Sequence, residues 1–433
     1  MKLRNIFLAS LAVCTMASCS KDETIDYSQM GPVDAYVSFG VTAALQTKAT
    51  DPGTGNEGKV KKLTALIYKG EGDAATFAAS KTEELTAEDI AAGKTITEIK
   101  HITVKVTPNA DGTSSNDVFT AVFLGNCELN GGSAPATLGA LKETVLTKKA
   151  TAYTIGTYLP MVSKTIKIEG LKPTIIKNDN GTTYWENWVK DAGGVVSTEA
   201  VSDEAQTAPT PPAYKQDDHV LLTRLISRVE VESVTLSITE YPNATIELTG
   251  IALANVKNES TFVGGYGSYV KGYESAKYEA SQYWIDPACK GKTDNSFLVS
   301  YGGDNYKTTG LVEKKISFKD NKFQKYIFSN VPRTTTEVKE EHKDGIYETG
   351  VILIVNFTNA AGESSTRHLR VLLKDNTPTS VPEVLKNNIY KLNITITGEG
   401  SPNEDEILLN THVAATIEVA PWNVIEQTED DAN

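Results

Sequence analysis

The chain runs to 433 residues, carries a formal net charge of -13, and is 40% hydrophobic. That acidic balance argues against nucleic acid and against anionic membrane surfaces as partners. Beyond the N-terminus nothing reaches the roughly 18 unbroken apolar residues of a membrane helix, so any membrane contact has to come through an attached lipid.

The N-terminus supplies a site for that lipid. Lys2 and Arg4 form a basic start, Ile6 to Met16 a short apolar core, and Met16-Ala17-Ser18 sets small residues before Cys19. This is the pattern of a secretory signal ending in a lipobox, because the apolar run is too short to cross a bilayer. Removal of residues 1–18 leaves Cys19 as the new N-terminus, its sulfur and amine carrying fatty acyl chains such as palmitate. Ser20-Lys21-Asp22-Glu23 resembles the lysine-plus-acids signal that sends lipoproteins of the Bacteroidota to the cell surface. Cys14 leaves with the signal, so only Cys127 and Cys289 remain in the body. Two cysteines so far apart read more readily as free, buried thiols than as a disulfide. About 410 residues remain after processing, enough for two domains of about 100–200 residues each.

The first element of the mature chain is a strand. Ala35, Val37, Phe39, Val41, Ala43 and Leu45 recur at every second position, with Ser38, Thr42 and Gln46 on the other face. A loop rich in Thr, Gly, Asp and Pro follows over residues 46–56, with Lys48 exposed in it. Leu63 to Tyr68, Ile102 to Val106 and Val118 to Leu124 read as further strands, the last a core strand because its apolar run is unbroken. Thr86 to Ile90 and Ala140 to Ala150 are the best helical stretches.

From Asn178 to Asp218 the composition is that of a linker, with Gly193-Gly194, acidic residues and Ala208-Pro209-Thr210-Pro211-Pro212, which fits neither a helix nor a central strand. Trp185 and Trp188 lie here; pinning the loop to the body is a better reading than carbohydrate stacking. Strand signals resume at Val220. Val229 and Val231 alternate with Glu230 and Glu232, and the apolar phase then slips to Val234, Leu236 and Ile238, which predicts a β-bulge near Ser233. Val351 to Phe357 and Arg367 to Leu373 form a predicted hairpin across Asn359 to Gly362.

Two strands close the chain. Tyr390, Leu392, Ile394 and Ile396 share one face of the first, and Val413, Ala415, Ile417 and Val419 share one face of the last, which Pro421-Trp422 ends. The acidic residues from Glu426 onward read as a disordered tail. Many strands with Gly, Asn and Asp turns and few helices predict an all-β protein of β-sandwiches.

Catalytic signals are missing. His101, His219, His342, His368 and His412 show no metal-ligand spacing, there is no CxxC, and Gly264 to Ser268 reads as a glycine-rich loop because Tyr266 and Val270 stand where a nucleophile elbow needs glycine. No enzyme activity, cofactor or metal site is expected.

The two end strands carry the functional reading. An exposed loop is where proteolysis concentrates, and a cut between Lys48 and Ala49 would release the first strand with its lipid. The body would then hold an empty apolar groove lined by unpaired backbone groups, which must be refilled or aggregate. A strand from another copy is the physical remedy. Burying Val413, Ile417 and Val419 at ~1.5–3 kcal/mol each gives roughly 5–9 kcal/mol gross, and a head-to-tail contact of this kind does not close on itself but builds filaments.

At this point the chain resembles the fimbrillins of the Bacteroidales, the FimA/Mfa-like major subunits of type V pili. The resemblance is carried by Ala17-Ser18-Cys19-Ser20-Lys21, Lys48-Ala49, Leu159-Pro160-Met161, the run Leu222 to Val229, Asn387 to Leu392, and Val419-Ala420-Pro421-Trp422. It implies two transthyretin-like Greek-key β-sandwich domains with minor helical insertions: a propeptide over 19–48, an N-terminal domain over 49–222 and a C-terminal domain with the donor strand over 223–433. It also implies export as an outer-membrane lipoprotein, removal of the first strand by a trypsin-like surface protease, and polymerisation with other copies and related pilins into an adhesive surface fimbria that meets a host or bacterial ligand. The best-known relatives are cut after arginine, whereas this chain offers Lys48; Lys59, Lys61 and Lys62 are alternatives that would trim the next strand. The second reading is a surface lipoprotein that keeps its first strand, as a pilus anchor or a tip or glycan-binding adhesin.

Overall fold

The computed structural model describes residues 26–29, 31–43, 55–129, 132–148, 150–173, 175–179, 182–186, 214–215, 219–254, 256, 260–262, 297–318, 321–330, 349–374, 383–402 and 412–421. Its first half contains β1 (Val33–Ala43), β2 (Lys62–Lys69), β3 (Thr76–Glu84), β4 (Glu98–Val106), β5 (Phe119–Gly125), β6 (Met161–Ser163), β7 (Ile166–Ile168), β8 (Ile175–Asp179), β9 (Thr182–Glu186), β10 (Tyr214–Lys215) and β11 (Val220–Arg224). Among the described residues these run in the order β10-β1-β11-β6-β5-β2-β3, with β4 also on β1, β7 on β5, and β8 and β9 as a separate hairpin.

β2 and β5 are buried on both faces, which is why their sequences show apolar runs rather than clean alternation. Leu63, Ala65, Ile67, Ala121 and Phe123 enter one core with β1 and β4. Leu66, Tyr68, Val122 and Leu124 enter a second, together with Leu138 and Leu141 of a short helix, α2 (Leu138–Glu143). That second core continues without a break into the other half of the molecule.

The second half contains β12 (Ile226–Leu236), β13 (Thr245–Ala254), β14 (Leu298–Ser300), β15 (Lys307–Thr309), β16 (Lys314–Ser317), β17 (Phe323–Phe328), β18 (Gly350–Thr358), β19 (Ser364–Leu372), β20 (Asn388–Ile396) and β21 (Val413–Pro421). They form two sheets, β16-β12-β20-β21 with β17 on β12, and β14-β13-β18-β19 with β15 on β13. Val231, Val234, Leu392 and Ile394 of the first sheet and Leu248, Ile251, Leu353 and Val355 of the second belong to one core. The fold is all-β with minor helices.

Several expectations meet the structure directly. The register of β12 on β20 slips between Val231 and Ser233, the bulge read from the change of phase. β18 and β19 pair across residues 359–363 from Thr358↔Ser364 to Gly350↔Leu372. A five-residue helix, α1 (Ala87–Ala91), starts at Thr86, whose hydroxyl accepts from the Asp89 N–H in a capping box.

Two expectations need correction. The second helix is shorter than 140–150: it ends at Glu143, because Val145 forms a β-bridge with Thr261 and the Leu146 N–H donates to the Ser260 carbonyl, 2.7 Å away. The stretch from Asn178 is not wholly linker, since β8 and β9 pair antiparallel from Ile175↔Glu186 to Asp179↔Thr182.

Only Leu225 separates β11, in the first set of strands, from β12, in the second. Around this crossing lies a cluster of buried charge. Arg224 and Arg228 are 2% and 0% exposed, and Glu57 and Glu230 are both 0%. Arg228 Nη1 lies 2.7 Å from Glu57 Oε2, Tyr326 Oη donates to Glu57 Oε1, and Arg228 Nε pairs with Glu230, which also receives Lys322. Arg224 Nε donates to the Glu57 carbonyl at 3.0 Å; burial pulls its guanidinium down to about 10, against the pull of Glu57, so it stays charged at neutral pH. Around Glu230 the structure buries both faces of β12, and the carboxylate is tolerated because two cations, Arg228 and Lys322, meet it.

Candidate strand-exchange site

β1 is held as a central strand. From Val33↔Val106 to Gly40↔Glu98 it pairs antiparallel with β4, and on its other side it pairs parallel with β10 at Val37 and Ser38 and with β11 from Val41 to Ala43. It therefore stitches β4 to the β11-β6-β5-β2 sheet. Its expected apolar face is fully inward: Ala35 and Val37 are 0% exposed, Phe39 and Val41 1%, Ala43 9%. The Phe39 ring meets Phe123 edge-on, with centroids 4.9 Å apart. On the outer face Asp34 pairs with Lys105 at 2.7 Å, and the His101 N–H donates to Ser38 Oγ at a register slip.

The residues that follow are fastened to the junction. Gly55 has a φ of +62° and packs against the Gly156 backbone, where an added Cβ would come within 2.9 Å of the carbonyl oxygen. The Asn56 N–H donates to that carbonyl at 3.0 Å, and Glu57 enters the buried charge cluster. Nothing in the sequence marked Glu57, and only the charges at Arg228 and Glu230 within an apolar strand could have hinted at such a cluster. Lys61 is held by Asn126 Oδ1 at 2.9 Å and Lys62 opens β2. Cys19, Leu45, Lys48 and Ala49 lie outside the described residues, as do Trp188, Cys289, residues 264–268 and the tail from 426.

β21 is the opposite case. It pairs antiparallel with β20 alone, from Ile396↔Val413 to Asn388↔Pro421, and lies at the end of its sheet among the described residues. Val413 and Ile417 are buried at 5% and 4% exposure, and Val419 is half-buried. Ala415 departs from the expected continuous apolar face, because it is exposed. Among the described residues it has a single hydrogen-bonded neighbouring strand, and its inner face is covered unevenly. Cys127 is a buried free thiol whose titration burial pushes up to about 12. No group of three or more His, Cys, Asp or Glu side chains converges as a metal site among the described residues.

Residues 35–209 match the family model described as major fimbrial subunit protein (FimA). A major fimbrium subunit FimA type-5 of Porphyromonas gingivalis is 22% identical over 451 residues, covering 99% of each chain. Over residues 35–209 the chain resembles the FimA family. Its architecture agrees: a fimbrilin (FimA) structure from Porphyromonas gingivalis W83 superposes with a TM-score of 0.53 at 15% identity, covering 91% of this chain and 99% of that one. A candidate cell adhesion protein from Parabacteroides distasonis does so with a TM-score of 0.55 at 14% identity, with the same coverage.

Proposed function

We propose that this chain is a shaft subunit that polymerises by protease-triggered strand exchange. In this reading Cys19 carries the lipid of the precursor, a trypsin-like surface protease cuts between Lys48 and Ala49, and the freed groove receives the β21 strand of another copy. The units 49–222 and 223–433 are then the acceptor and the donor halves. The observation that carries the proposal is the contrast between the end strands: β1 fills a core groove with five buried side chains, whereas β21 stands at the end of its sheet among the described residues. In the uncut precursor β1 fills its own groove and blocks premature assembly, so it serves as lipid tether and self-inhibitor at once. The firm hold on residues 55–62 favours a cut before them, since a cut at Lys59, Lys61 or Lys62 would release Glu57 from Arg228.

The test is the N-terminal sequence and heat-labile SDS ladder of the protein recovered from its host surface. A start at Ala49 with multimers that collapse only on strong heating is expected. A lipidated Cys19 start with a monomer band would overturn the proposal and favour an anchor or a free-standing lipoprotein.

A further inference from the structure

The two halves are joined by a short covalent thread. β11 passes to β12 through Leu225, whose N–H donates to the Pro160 carbonyl at 2.8 Å. From Ile226 β12 runs about 33 Å to Leu236 at ~3.3 Å per residue. Beside it β20 runs in the same direction, in eight residue pairs from Arg228↔Ile389 to Leu236↔Ile396. Among the described residues this is the one parallel strand pair of the second half, and the others are antiparallel.

Direction decides how such a pair meets tension. The chain enters β12 at the junction and leaves β20 at the opposite pole, so a pull on both ends drags the strands past one another along their length. The evenly spaced, slanted bonds of a parallel ladder are then loaded together, in shear. The antiparallel pair β20–β21 behaves differently. Its free end lies at Asn388↔Pro421, and a pull on Pro421 opens it like a zipper, one pair at a time.

The parallel pair is fastened along its whole length. At the junction Arg228 of β12 lies 2.7 Å from Glu57 of the first half, and Tyr326 of β17 donates to the same carboxylate. Beside the bulge Ser233 Oγ donates to Asn393 Oδ1 at 2.6 Å. Past Leu236 the Ser237 N–H donates to the Ile396 carbonyl at 2.8 Å. The connection beyond Ile396 is pinned to β19 by two backbone bonds between His368 and Ser401, at 2.8 and 2.9 Å, which a pull from β21 opens in turn.

We propose that β11, Leu225, β12 and β20 form the load-bearing line of the subunit, with the parallel β12–β20 pair as its mechanical clamp. This rests on the strand-exchange reading, in which each copy is held by a strand lodged beside β11 in place of β1 and passes tension on through its own β21. The remaining strands of the second half lie off that line and bear load only after the clamp slips.

The test pulls single uncut full-length chains between a handle at exposed position 219, just before β11, and one at the C-terminus, so it does not depend on exchange. β21 should peel first, at low force, followed by one step at several-fold higher force. That step frees roughly 170 residues between Ile226 and Ile396 and, less the folded span, lengthens the chain by about 550 Å at ~3.4 Å per residue. An oxidised Ser233→Cys, Asn393→Cys staple should abolish the long step, and reduction should restore it. The facing pair Thr235→Cys, Thr395→Cys should do the same. A long step at the force that peels β21, or one that both oxidised staples leave unchanged, would overturn the clamp and leave strand exchange standing. Chains cut at Lys48 that build no filament would instead overturn strand exchange, and with it the load-bearing role, whatever force the single chain withstands.

Discussion

Under the proposed release of β1, Phe39→Ala separates the uncut chain from the polymer. In the precursor Phe39 is 1% exposed and its ring lies 4.9 Å from Phe123 at 68°. Truncating a buried phenylalanine to alanine costs about 3–5 kcal/mol, of which an edge-to-face pair supplies about 0.5–1.5 kcal/mol. For a body of this size that is a fall of about 6–20 °C in the melting temperature, at ~2–4 °C per kcal/mol. After a cut at Lys48 the residue is gone, and mature chains from variant and wild type are covalently identical. The assay is thermal unfolding of uncut precursor, with Lys48→Gln added to keep it uncut, set against SDS dissociation of polymer grown from cut chains. The precursor should weaken, exchange should quicken because β1 leaves more easily, and the polymer should be indistinguishable from wild type. Phe123→Ala, which stays in the body, should weaken both. A polymer from Phe39→Ala chains that dissociates at lower temperature, or that still contains residue 39, would refute the release of β1.

Two predictions concern the body alone. Glu57→Gln takes the charge from Arg228 in a site that is 0% exposed at both ends, and breaking such a pair costs about 3–5 kcal/mol in urea unfolding. A loss under about 1 kcal/mol would mean that water reaches the junction. Burial favours a raised Asp117 carboxyl, but hydrogen bonds from Lys69 Nζ at 2.8 Å and the Thr107 N–H outweigh it and hold the group below its ordinary 3.8. The stability it adds is present above that value and is lost as pH falls through the lower folded-state value. Asp117→Asn should therefore flatten the acid side of a stability-pH profile below about pH 4, and an unchanged slope there would count against the pairing.

What could be read directly were the elements whose local pattern and tertiary role coincide. Strict alternation over Ala35 to Ala43 is possible only for a strand with one apolar face, and the structure buries all five of those side chains. The slip at Ser233 followed from period-two phase alone. The short helix capped by Thr86 was legible because capping is a local hydrogen bond. The pairing of β8 with β9 was hidden by the polar composition around it, and the helix beyond Glu143 was cut short by Val145 and Leu146, whose partners lie more than a hundred residues away.

Sequence by itself determined that the chain is all-β and that its first and last strands are written alike, because periodicity is a property of neighbouring residues. Tertiary structure decided that the first strand is central and the last peripheral, since the number of neighbours a strand has depends on sheet order. It also decided that Glu57, Arg224, Arg228 and Glu230 meet out of water at the crossing from β11 to β12. Charges from positions 57 to 230 are brought together only when the two halves pack, and no local pattern encodes that distance.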